Sequence, residues 1–167
     1  MDDRAQHVEK LRELIKDVRI AMLTTVEADG MLRSRPMAMQ EAEFDGDLWF
    51  FTRDDAPKVA EIASDPAVNL AFADPDAQTY ISLSGRARLV RDREKLEALW
   101  RPIYRAWFPD GLDDPHLALL CVEADHAEYW DAASGKLVQA FALAKALVTG
   151  KTDHRAPPGT ENEKVDL

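Results

Sequence analysis

Arg33 and Arg35 stand two positions apart in "MLRSRPMAMQ", and Met37 and Met39 continue the same spacing. In a strand all four side chains leave one face, because successive residues alternate sides. A second basic feature follows in "FTRDDAPK", where an apolar run ends at Thr52 and Lys58 comes shortly after. Asp54 or Asp55 can cap a helix there, and Pro57 suits its first turn. Backbone N–H groups and the dipole at a helix start attract phosphate, and Lys58 with a nearby arginine would add charge. This chemistry points to the binding of a phosphorylated small molecule. The plainer alternative, cations that are simply solvated, holds for each of these residues taken alone.

The net charge of −10 over 167 residues decides between anionic partners. A chain this acidic repels nucleic acid and anionic membrane surfaces overall, so a local pair of arginines reads as a small-anion site. No run approaches the roughly 18 apolar residues of a membrane span, and "DDRAQHVEKL" after Met1 has neither region of a signal peptide. Cys121, in "LALLCVE", has no second cysteine to pair with and reads as a small buried hydrophobe. A cytoplasmic location is expected. His7, His116, His126 and His154 share no close spacing, so no metal site is expected. None of G-x-S-x-G, G-x-x-x-x-G-K-[ST] or G-x-G-x-x-G occurs. The carboxylates single out no acid/base pair.

These residues must be positioned by mostly short strands. Val8, Leu11, Leu14, Ile15 and Val18 recur at helical spacing and predict a helix over 4–17. Two β-prone runs flank Ala28-Asp29-Gly30, a hairpin signal, and Asp45-Gly46-Asp47 leads into the strand "LWFFT". Val59, Ile62 and Ala63 give the short helix after Pro57 its apolar stripe, and Asp65-Pro66 ends it. "VNLAFA" is the next strand. "QTYISLSGRARLVRD" alternates over a long half-exposed strand, with a bulge expected at Gly85. Residues 93–107 read as helical, divided by Pro102. "FPDGLDDP" reads as a loop, "LALLCVE" and "AEYWD" as two strands, 133–135 as a turn, and 137–150 as an alanine-rich helix. Residues 1–150 form a single domain in this reading, and 151–167 a polar tail that orders only against a partner. Many short strands with turns between them predict a small antiparallel barrel, and the alternation over 79–91 disfavours a doubly wound sheet.

In order and spacing, "RPMAMQ", "DGDLWFFT", the T-x5-K of Thr52 to Lys58, "SGRARLV" and "EYW" resemble the pyridoxamine 5′-phosphate oxidase-like flavin-binding split barrels, closest to their general stress protein branch. The resemblance covers roughly residues 8 to 150. It implies a mainly β fold, a six-stranded antiparallel split barrel with peripheral helices. It also implies a homodimer with FMN at the subunit interface, FAD or another flavin being the alternative cofactor. Position by position, Arg35 matches a flavin-contacting arginine, with Pro36 and Met37 beside the ring. Phe51 and Thr52 match an aromatic-threonine pair on the cofactor, and Lys58 matches the phosphate lysine. Trp130 matches a tryptophan contributed by the second subunit. Arg33 and Ser34 enter as neighbours, and Tyr80 stands where the family has a glutamine.

The departures bear on activity. Gln40 replaces a flavin-contacting lysine, Pro57 replaces an arginine, and Lys136 to Ala140 lack the oxidase's substrate-gripping arginine and histidine. Efficient pyridoxamine phosphate oxidation is therefore not expected. The leading expectation is an FMN-dependent oxidoreductase of stress-response type acting on an unassigned small molecule. A non-catalytic flavin-binding or flavin-sensing module is the second, and the same barrel with a deazaflavin or haem the third.

Overall fold

The computed structural model describes residues 3–40, 44–132 and 160–167. Helix α1 (Asp3–Ile15) is followed by the hairpin β1 (Ile20–Val26) and β2 (Leu32–Ala38), then β3 (Asp47–Arg53), α2 (Pro57–Ser64), β4 (Ala67–Asp74) and β5 (Thr79–Val90). Helix α3 (Arg93–Leu99) leads through 3-10 turns at Pro102–Ala106 and Gly111–Asp113 into β6 (Leu117–Ala132), and β7 is Thr160–Asp166. The strands form one antiparallel sheet in the order β2-β1-β4-β5-β6-β3, with β7 added to β6. This is the mainly β split-barrel arrangement expected. The path does not close, because no ladder joins β2 to β3 among the described residues.

The hairpin turns at Gly30, whose φ of +83° suits a residue without a side chain. Alternation sets the barrel core: Ala21 and Leu23 of β1, Leu70 of β4 and Leu83 of β5 turn inward and are almost completely buried. Leu11 of α1 joins them from the barrel end, which explains the apolar stripe of that helix. On β6 the alternation disappears, and Leu117 to Val122 are all buried. Both faces are covered there, one by the barrel interior and the other by α3 and the Pro102–Ala106 turn. Pro102 divides the two helical pieces as its missing N–H requires.

Several details differ from the sequence expectation. "LALLCVE" and "AEYWD" belong to one continuous strand, bent rather than interrupted. The bend is the bulge expected at Gly85: the register shifts between Ser84 and Gly85, leaving Asp125 of β6 without a partner on β5. Within the segment expected as a tail, Thr160–Asp166 is paired with His126 to Ala132. A short 3-10 turn occupies the loop at 111–113. The turn at 133–135, the helix at 137–150 and the 136–140 segment lie outside the described residues.

At Gly85 a Cβ would stand 2.0 Å from the carbonyl oxygen of Glu123, which is backbone and cannot step aside. Gly85→Ala is expected to destabilise the fold by about 3 kcal/mol, lowering the melting temperature by about 10 °C. Denaturant and thermal melts of the variant measure this, and an unchanged midpoint would contradict the close strand approach.

Candidate functional site

The gap between β2 and β3 holds a cavity of about 280 Å³. Pro36, Met37 and Ala38 form its β2 wall, and Phe51, Thr52 and Arg53 its β3 wall. Tyr104, Trp107 and Phe108 line it from the connection between α3 and β6, while Ala56 and Lys58 bring the start of α2 to one end. Phe51 is fixed by neighbouring rings, with Trp100 edge-on at 5.4 Å and Tyr104 at 5.1 Å between centroids. That aromatic packing turns a flexible connection into a rigid wall.

Charge enters the cavity at the α2 end. Burial pushes the Lys58 ammonium pKa below its ordinary 10.5, the Arg35 charge pushes the same way, and Glu61 opposes both. The N-cap of α2 is Ala56, with no side-chain cap and no acid in the first turn. This corrects the expectation of Asp54 or Asp55 as cap. Asp54 instead meets Arg91 at 2.9 Å and His116 at 2.9 Å, and Asp55 meets Arg53 at 3.0 Å. Both carboxylates are thereby drawn away, which leaves the helix start favourable to an anion.

Arg35 does not line the cavity. Its Nη1 donates to Thr25 Oγ1 at 2.5 Å and its Nη2 to Glu61 Oε2 at 2.8 Å, while the threonine hydroxyl donates to the same carboxylate at 2.5 Å. This closed ring fastens β1 and β2 to α2, and it lies close enough to Lys58 to affect its titration. The Thr25 hydrogen bond, and then the Arg35 charge, holds the Glu61 carboxyl below the ordinary value of 4.5. Sequence reasoning missed Glu61. The signal available was an acid three positions after Lys58, beside the buried stripe residue Ile62.

The remaining candidates lie apart. Arg33 reaches Glu27 at 3.4 Å on the surface, and Ser34 Oγ pairs with Thr24 Oγ1 at 2.7 Å. Tyr80 and Trp130 face one another across β5 and β6, outside the cavity. Gln40 lines the cavity, but its buried Oε1 has no hydrogen-bond partner among the described residues. Burial pushes the Cys121 thiol up to about 11, so it stays protonated and inert. The fold does bring His116 within 4.8 Å of Asp54 and Asp55, a grouping not seen in the sequence, but both acids are already paired with arginines.

Residues 6–154 match the family model described as pyridoxamine 5′-phosphate oxidase like. The chain belongs to this family. Among pyridoxamine 5′-phosphate oxidase-like relatives and other similar proteins, protein bli-3 of Neurospora crassa is 28% identical over 97% of this chain and 79% of its own length. A solved general stress protein 26 from Jannaschia sp. CCS1 superposes with a TM-score of 0.75 at 26% identity, covering 98% of this chain and 99% of that one. The general stress FMN/FAD binding protein of Xanthomonas citri gives 0.67 at 34% identity, over 78% and 92%. No helix among the described residues is long and apolar enough to cross a membrane.

In this family member the Arg35–Glu61 pair carries a pH signature. Glu61 has a lowered pKa in the fold, so its contribution is complete above the unfolded value of 4.5 and disappears as pH falls through the lowered value. Glu61→Gln is expected to cost about 1–2 kcal/mol at pH 7. The difference from wild type should shrink progressively as pH falls below 4.5. Thermal melts between pH 7 and pH 3 check this, and a difference that persists unchanged in acid would remove the carboxylate's role.

Proposed function

We propose that the protein binds FMN in the cavity between β2 and β3 and works as a flavin-dependent oxidoreductase of stress-response type. The observation that carries this reading is the cavity's polarity: apolar and aromatic walls at one end, and Lys58 with the uncapped start of α2 at the other. A planar ring with a phosphate tail needs that arrangement. Arg53 adds little charge, being held by Asp55 and Asp114.

The Lys58 ammonium at the start of α2 holds the phosphate in this reading, and Thr52 offers a hydroxyl beside the ring. Phe51, Pro36 and Met37 flank the ring and exclude water, while Arg35 supports the wall from behind. Bound flavin supplies hydride and electron transfer itself, so the protein contributes binding, orientation and electrostatics. The described cavity lining includes no carboxylate or imidazole. The second reading is a flavin-binding or sensing module without turnover, favoured by the loss of the oxidase's substrate-gripping arginine and histidine at Lys136 to Ala140. Steady oxidation of a reduced nicotinamide with an added electron acceptor separates the two.

A homodimer completes the proposal. Ile20, Met22 and Leu32 are exposed on the outer sheet face, with Pro36 opposite Met22, Ala71 next in register, and Tyr80 further along. An apolar face at the middle of a sheet calls for a partner. Pro36 belongs both to this face and to the cavity, so a second copy seated there would bring its own Tyr80 and Trp130 towards the flavin. A cytoplasmic setting suits a chain whose one cysteine is a buried free thiol.

Purified protein mixed with FMN is expected to retain a flavin absorption spectrum, and failure to bind FMN in calorimetry would overturn the assignment. Lys58→Ala should weaken FMN about tenfold or more and leave riboflavin, which lacks the phosphate, unaffected. Equal losses for both ligands would take the phosphate role from Lys58. For the dimer, Met22→Asp is expected to shift the mass in light scattering from two copies to one. A monomeric wild type would refute that interface.

A further inference from the structure

The ring of Arg35, Thr25 and Glu61 lies directly behind the cationic end of the cavity. Glu61 follows Lys58 by three positions on α2, so both side chains leave the same side of the helix. Only 11% of the Glu61 side chain and 17% of the Arg35 side chain are accessible, which leaves the carboxylate's field weakly screened by salt. Arg35 is turned into the ring although its neighbours Pro36 and Met37 line the cavity. Arg33, which also acts on the Glu61 carboxyl, is paired with Glu27, and Arg53 of the cavity wall is held by Asp55 and Asp114. The uncompensated local set is therefore two cations, Lys58 and Arg35, and one anion, Glu61, and Lys58 is the one of the three that reaches the cavity.

We infer that Glu61 sets how strongly the site grips a phosphate: by neutralising Arg35 it holds the local charge to one net positive and keeps the cofactor exchangeable. The inference rests on the FMN reading above and adds to it a residue that weakens binding by design. A dianionic phosphate meets Lys58 and the α2 start, with the Glu61 charge opposing it from behind. A purely structural clamp makes the opposite prediction, because loosening the ring would misplace Lys58 and weaken binding. The two accounts differ in sign.

The deciding variant is Glu61→Gln, which keeps the shape and an acceptor for Arg35 and Thr25 but removes the charge. FMN affinity is expected to rise about tenfold with a steeper salt dependence, while riboflavin affinity stays unchanged. Unchanged or weaker FMN binding, or an equal gain for riboflavin, would overturn the inference. Arg35→Gln/Glu61→Gln restores one net positive charge and should bring FMN affinity back to within about threefold of wild type. A double variant as tight as the single one would show that charge is not the cause. Titration of the Lys58 ammonium by NMR in the unliganded protein reads the same coupling without flavin: it should move to lower pH in Glu61→Gln than in wild type. An unmoved titration would overturn the inference even if FMN binds. Wild-type protein that ignores FMN while the Lys58 titration moves as expected would instead refute the cofactor reading and leave the charge coupling standing.

Discussion

The structure depends on a pair of strands that do not bond. β2 and β3 end the sheet path, and the barrel stays open between them. An open edge in a small sheet exposes backbone donors and acceptors and invites unwanted strand addition. Here the gap is filled from the sides instead. The rings of Tyr104 and Phe108 close it on one flank, and the start of α2 closes one end. A cavity results between the two strands, outside an interior that is filled with side chains.

A gap of this kind must be kept at a fixed width, and two polar devices do so. Arg35, Thr25 and Glu61 tie the β1–β2 hairpin to α2. On the other flank, Arg53 joins β3 to the buried Asp114, while Asp54 is held by Arg91 and His116. The first device is anchored on α2 itself and the second on Arg53 and Asp54, just before it. The helix that carries Lys58 is thus positioned by ion pairs on either side of it, and the same pairs determine which charges remain free to meet a ligand.

Much of the fold was legible in the sequence because local chemistry and tertiary context agree there. Gly30 needs a positive φ at a hairpin turn, Gly85 marks the bulge, and Pro102 divides its helix. β6 read as two strands because polar residues around Asp125 look like a break, whereas a bulge absorbs the extra residue without ending the strand. The pairing of Thr160–Asp166 was hidden because its partner lies more than thirty positions away at Asp166 and His126, and a polar strand has no apolar signature. In the candidate site, Pro36, Met37, Phe51, Thr52 and Lys58 converge as their order suggested. Arg35 was legible as a basic residue at the right place but not as half of a buried ion pair, because Glu61 comes from a separate element. The aromatic wall of Tyr104, Trp107 and Phe108 likewise emerges only when the connection folds back over β3.

One edge of β6 is shared between two strands. Its first half pairs with β3 and its second half with β7, and the change of partner falls beside the bulge at Asp125. β7 therefore protects an edge of β6 that β3 leaves uncovered. Without β7, His126 to Ala132 would present a free row of backbone groups along that edge to any extended chain nearby. β7 thus acts as a molecular stopper, and a chain lacking it would be open to self-association along that strand even with its barrel intact.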